Sequence, residues 1–200
     1  MSTPEAELNT AASAAMMLAR WWTRPLATEI AAWADAAELS TVVQRQFDDG
    51  GDDAPKVPVF STDDEAAMLA EYERLFVGPG PVPCPPYESF WRTDVASYQR
   101  HSLMGPCVAD LSQLYRTIGI GIDPEAEELP DHIAVEFEAL GYALSLTDDQ
   151  GVAKRLLDSH LCIWVPQFCR SVLEASRLPF FGQLAALTVH WLARIQSQQA

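Results

Sequence analysis

Basic residues are scarce in this sequence. Thirteen lysines and arginines stand against 28 aspartates and glutamates, giving a formal charge of −15 and a pI near 4.4. A surface of that sign repels phosphate backbones, which argues against nucleic acid as a partner. It attracts basic peptides instead, with a strength that salt reduces. Long apolar runs are missing too: no stretch reaches the roughly 18 uncharged apolar residues that a membrane span needs. Cys84, Cys107, Cys162 and Cys169 form no C-x-x-C pair. Scattered in apolar surroundings, they read as reduced thiols in a cytosolic core rather than a disulfide framework or a metal site. Glu5 and Glu7 stand where a signal peptide would carry Lys or Arg, and Arg20 breaks the apolar run that follows. A mature cytoplasmic start is the expectation.

Other absences narrow the chemistry. The chain has no G-x-S-x-G, so Ser89 in PYESF has no nucleophile elbow around it. It has no G-x-G-x-x-G, no P-loop and no H-E-x-x-H, so nothing in it asks for a nucleotide, a metal or another cofactor. Gly119 and Gly121, in RTIGIGID, read as a helix stop. Sustained alternation of β-branched residues is lacking, which leaves little or no sheet, and there is no repeat at a solenoid period.

What the sequence does carry is helical period and proline punctuation. Thr3–Pro4 opens a helix to about Trp22, and a second follows Pro25 to about Phe47. Residues 48–61 lack any period and read as a loop. Thr62 to Glu65 form a capping box. The helix behind it places Leu69, Tyr72 and Phe76 on one stripe, with Met68 and Leu75 beside it, until Gly78. Five prolines between 79 and 86 then forbid a helix and make a stiff connector. Further helices are expected at about 88–101, 105–118, 130–147, 149–160, 161–177 and 180–197. In the fourth-last of these, Ile133, Phe137, Leu140 and Leu144 recur at core-facing spacing. The expected fold is all-α: one bundle-like domain over 1–200, with an N-terminal part to about 77, a connector over 78–87 and a C-terminal part over 88–197.

Three features stand out for function. His132 and Glu136 share a helix face; with His160 they could ligate a metal, though a polar ridge on the exposed side of the helix explains the spacing as well. Asp131 at a helix start is favourable with the helix dipole. His132 is not, if protonated, which points to binding. Tyr87, Phe90 and Trp91, just after the prolines, either fill a core or line a groove for an apolar peptide.

YERLFVGPGPVPCPPYESFW (72–91) and ELPDHIAVEFEAL (128–140), followed by LLDSHLCIWVPQFCRSV (156–172) and LPFFGQLAALTVHWL (178–192), resemble the TorD/DmsD/NarJ group of redox-enzyme maturation chaperones. The likeness spans about 62–195 and favours the TorD/DmsD branch. It implies an all-helical cytoplasmic chaperone without catalytic residues or a resident cofactor. Its partner would be the catalytic subunit of a molybdopterin oxidoreductase, held through an N-terminal leader, often of twin-arginine type, until its cofactor is inserted. The peptide-binding positions it implies are Tyr72, Phe76 and Pro79 in the first motif, Pro86, Tyr87 and Trp91 in the second, and Glu128, Pro130, Asp131 and His132 in the third. Asp131 and His132 are expected to meet the leader's polar part and the aromatics its apolar part. The rival expectations are a metal-dependent helical hydrolase using His132, Glu136 and His160, and a generic peptide-binding scaffold. A homodimer that exchanges halves across the proline seam is compatible with the sequence.

Overall fold

The computed structural model describes residues 4–26, 47, 55–58, 65–94, 101, 103–121, 128–146 and 151–199. Among them every regular element is helical: α1 (Pro4–Trp21), α2 (Glu65–Tyr72, continued by a π-helical turn over Glu73–Val77), α3 (Glu88–Trp91), α4 (Cys107–Thr117), α5 (Ile133–Ser145), α6 (Val152–Arg155), α7 (Cys162–Ala175) and α8 (Pro179–Gln199). The chain divides into two compact units. One comprises Met1–Trp22, Pro86–Pro166 and Leu192–Ala200; the other comprises Thr23–Pro85 and Gln167–Trp191.

In the first unit α1 packs along α5. The approach is close because α5 presents Gly141, where a Cβ would stand 2.9 Å from the Met16 side chain and 3.0 Å from the Ala12 carbonyl. Ala14, Ala15 and Leu18 of α1 are buried with Ile133, Phe137, Leu140 and Leu144 of α5, as the stripe predicted. Leu111, Leu114 and Tyr115 of α4 and Leu156, Leu157, Leu161 and Trp164 complete this unit's core. Gly119, at φ +82°, ends α4 as expected; its N–H returns to the Arg116 carbonyl.

The second unit is organised around rings. Tyr72 and Phe76 lie 5.0 Å apart edge to face, and Phe181 is 5.5 Å from Phe76 and 6.4 Å from Tyr72. Phe168 closes the cluster at 6.1 Å from Phe76. Buried Glu71 ties α2 to the end of α7. It accepts both Nε and Nη2 of Arg74 at 2.8 Å and the Arg177 N–H at 2.6 Å, while Arg74 also donates to the Ala175 carbonyl at 2.7 Å. Burial pushes the Glu71 carboxyl up, but these donors outweigh it and leave it below the ordinary range.

Three expectations change. The helix expected over 88–101 runs only Glu88–Trp91, because Arg92 turns extended and its guanidinium folds back onto Glu88. Separate helices over 149–160 and 161–177 prove to be one continuous helical run from Val152 to Ala175, with a π-helical stretch at Leu156–Leu161. The helix expected from Pro130 begins at Ile133. Of the second helix only Pro25, Leu26 and buried Phe47 are among the described residues, and Thr62 of the capping box lies outside them.

Candidate functional site

Two of the sequence motifs meet in the first unit. Prolines 85 and 86 lack N–H groups and hold the backbone extended, so Tyr87 (φ −126°, ψ 129°) enters as a short strand-like residue. It forms an isolated antiparallel bridge with His132. The Ile133 N–H donates to the Pro86 carbonyl and the Glu88 N–H to the Asp131 carbonyl, each at 2.9 Å. Side chains reinforce the bridge. Asp131 Oδ2 accepts the Ser89 N–H at 3.0 Å, so it caps α3 rather than the helix that follows it in sequence. His132 caps that one: Nδ1 accepts the Ala134 N–H at 3.2 Å. An accepting Nδ1 carries no proton, which places the ring proton on Nε2.

That assignment corrects the reading of His132 as a misplaced charge. The ring is 1% exposed, and burial holds its pKa down to about 4. It is a neutral cap, which the helix N-terminus welcomes. Its Nε2 faces Glu128 Oε2 at 3.7 Å. Tyr87 lies edge-on to the imidazole, centroids 5.2 Å apart, and donates its hydroxyl to the same Glu128 oxygen at 3.0 Å. Burial, then the Glu128 charge, pushes the Tyr87 phenol up. Asp131 is 0% exposed; burial raises its pKa although the Ser89 bonds oppose the rise. The Pro130 carbonyl accepts from Tyr115 Oη at 2.7 Å.

Deeper in the same unit lies a cluster that sequence reasoning missed. Glu88 is fully buried. Its carboxylate takes His160 Nδ1 at 2.9 Å and Arg92 Nη1 at 2.5 Å. His160 Nε2 stands 3.1 Å from Asp110 Oδ2, and Arg155 pairs with the other Asp110 oxygen at 3.0 Å. Arg92 also donates to the Ser159 carbonyl and pairs with Asp94. Glu136, read as part of an exposed ridge, is fully buried and accepts Trp164 Nε1 at 3.4 Å. Burial, then the Glu88 carboxylate, pushes its pKa well above the ordinary range. The one signal in the sequence was Glu88 and Arg92 four residues apart, the spacing of a helical ion pair. Both nitrogens of His160 are engaged, so the ring has no lone pair or proton left for a substrate.

His132, Glu136 and His160 therefore have separate partners. Among the described residues no three His, Cys, Asp or Glu side chains are grouped to hold a metal ion. Of the ten peptide-binding positions expected, Pro86, Tyr87, Trp91, Glu128, Pro130, Asp131 and His132 belong to the first unit. Trp91 is buried against Phe90, centroids 5.3 Å apart. Tyr72, Phe76 and Pro79 belong to the second. Tyr72 and Phe76 are core there, and Pro79 is exposed just after Gly78. Gly78, at φ +114°, closes the π-helical turn with an N–H bond to the Glu73 carbonyl at 2.8 Å; only glycine takes that φ readily.

Residues 24–170 match the family described as the nitrate reductase delta subunit. The chain belongs to the TorD/DmsD/NarJ family. Within it, the chain is 32% identical over 150 residues to the Tat proofreading chaperone DmsD of Salmonella typhi, covering 71% of this chain and 69% of that one. It is 26% identical over 133 residues to the chaperone protein TorD of Shewanella loihica, covering 65% and 63%. The fold is similar to the crystal structure of a protein assigned to redox enzyme maturation from Archaeoglobus fulgidus, with a TM-score of 0.56 at 22% identity over 93% of both chains. For this TorD/DmsD/NarJ protein the all-α expectation holds.

Proposed function

We propose that this protein is a cytoplasmic maturation chaperone. It binds the N-terminal leader of a molybdopterin oxidoreductase catalytic subunit and holds that subunit while its cofactor is inserted, before export or assembly. The observation that carries the reading is the meeting of PPYESFW and ELPDHI in one hydrogen-bonded corner with Tyr87 and Glu128 at its outer side. A leader rich in arginine and apolar residues calls for a carboxylate beside an aromatic face, and that corner offers both. The net charge of −15 adds long-range attraction for a basic segment.

Family membership supports the same reading, since the relatives described above are named as chaperones. The protein acts by binding and not by catalysis; the two buried histidines in the first unit are spent on internal partners. No helix among the described residues is long and apolar enough to cross a membrane, which suits a protein that meets its client before export. Affinity purification from the native host, followed by identification of bound proteins, tests the proposal. A molybdoenzyme catalytic subunit that is retained with its leader and lost without it is expected. Retention that does not depend on the leader would sink the leader-binding reading.

A further inference from the structure

The residues that the sequence marks for recognition are the ones the fold hides. Asp131 is 0% exposed and His132 1%, whereas the Glu128 side chain beside them is 42% exposed. Asp131 Oδ2 accepts the Ser89 N–H at 3.0 Å, and full burial keeps the carboxylate, including its unpartnered Oδ1, from a guanidinium arriving at the surface. His132 Nδ1 is likewise held by the Ala134 N–H. What the two residues do reach is the outer pair. Asp131 sets the start of α3 and with it the preceding Tyr87, through Ser89 N–H and through the Glu88 N–H on its own carbonyl. His132 packs edge to face with Tyr87 and directs Nε2 toward Glu128 Oε2.

We infer that Asp131 and His132 are positioning residues, and that the guanidinium of a bound peptide is met by Glu128, oriented by the Tyr87 hydroxyl. The assignment rests on the leader-binding reading above and says which atoms do the binding. A carboxylate already aligned by a 3.0 Å donor loses less freedom on binding than a mobile surface acid. The planar fork of arginine suits such a fixed acceptor better than lysine does. Asp131 by contrast needs only an acceptor oxygen, not a charge, to hold the Ser89 N–H. Its buried carboxylate is raised toward neutrality by desolvation, which an amide would not incur.

This separates charge from hydrogen bonding in a single comparison. Asp131→Asn and Glu128→Gln each replace a carboxyl group by an amide that keeps an acceptor oxygen, so the same chemical change is compared at a buried and at an exposed position. The probe is a synthetic peptide with two adjacent arginines followed by an apolar run, titrated calorimetrically into the full-length chain. Asp131→Asn should bind within about threefold of wild type, while Asp131→Ala, which loses the cap, and Glu128→Gln, which loses the contact, should each weaken binding about tenfold or more. Hydrogen exchange at the Ser89 amide gives the second readout, with protection kept in Asp131→Asn and lost in Asp131→Ala. If Asp131→Asn binds as poorly as Asp131→Ala while Ser89 stays protected, the aspartate charge itself contacts peptide and the inference is overturned. Unchanged binding by Glu128→Gln overturns it equally. A wild-type chain that binds no such peptide overturns the leader reading and this assignment together.

Discussion

At the scale of the residue, His132 behaves as a neutral N-cap whose protonation the fold opposes. Its folded pKa is about 4 against an ordinary 6.5, lowered by burial. Above pH 6.5 the ring is neutral in both folded and unfolded chains, and its contribution is fully present. As pH falls from 6.5 toward 4, the unfolded chain takes a proton that the folded one refuses, and stability drops by ~3 kcal/mol. Thermal melts should therefore fall more steeply over that range for wild type than for His132→Asn, which keeps a capping oxygen but cannot titrate; parallel curves would refute the assignment. Glu136 runs the other way. Its pKa is raised, by burial first and by the Glu88 carboxylate next, so its contribution is intact at low pH and lost as pH rises above the ordinary carboxyl range. Glu136→Gln keeps an acceptor for Trp164 and should be more stable than wild type at pH 8, by ~1 kcal/mol or more, with the difference vanishing near pH 4. A variant less stable than wild type at pH 8 would count against a buried carboxylate there.

Two of the helices are tied down by residues distant from them in sequence. The four-residue α3 has no side-chain cap of its own; its cap comes from Asp131, 42 positions away in sequence. Glu71 plays the corresponding part in the second unit, joining α2 to the turn after α7 through Arg74 and the Arg177 amide. Glu71→Ala should lower stability by ~2 kcal/mol, because it leaves the Arg177 N–H without its acceptor and takes the carboxylate from Arg74, which keeps only the Ala175 carbonyl. Chemical denaturation measures this, and a loss much below 1 kcal/mol would show the network to be dispensable. The α1–α5 pairing depends on Gly141. Alanine there would gain ~1 kcal/mol of helix propensity against a clash of similar size. Valine keeps the clash with the Ala12 carbonyl, at 3.0 Å from a Cβ, and forgoes most of the gain. Gly141→Val should cost ~2 kcal/mol, or about 6 °C in Tm; a melt unchanged from wild type would mean that α1 can retreat freely.

For the whole molecule the governing quantity is charge. At −15 the surface accelerates and strengthens the approach of any basic segment, and the attraction is screened as the Debye length shrinks from about 10 Å at 0.1 M salt to about 3 Å at 1 M. Leader binding should weaken steadily across that range, chiefly through a slower on-rate. Stopped-flow association measured at several salt concentrations checks it, and a salt-independent rate would show that steering plays no part. The same acidity gives no information about fold, which rests on apolar spacing and ring packing.

Periodicity alone determined that this is a helical protein, that Ile133, Phe137, Leu140 and Leu144 face a core, and that Gly78 and the prolines after it interrupt the helices. Those features are local: a 3.6-residue repeat, a missing N–H and a positive φ are properties of neighbours in sequence. Motif order was enough to place the chain in its family. What only the tertiary structure decided is who partners whom. Asp131 looked like a charge for its own helix and caps another; His132 and Glu136 looked like an exposed ridge and are buried; Glu88 drew no reading and sits between His160 and Arg92. Hydrogen bonds across 42 and 72 positions leave no periodic trace, because either partner alone satisfies an ordinary local rule. The stretch ELPDHI therefore announced its importance in sequence, while its job, bracing PPYESFW from within, could be seen only once burial had chosen which of its polar atoms face solvent.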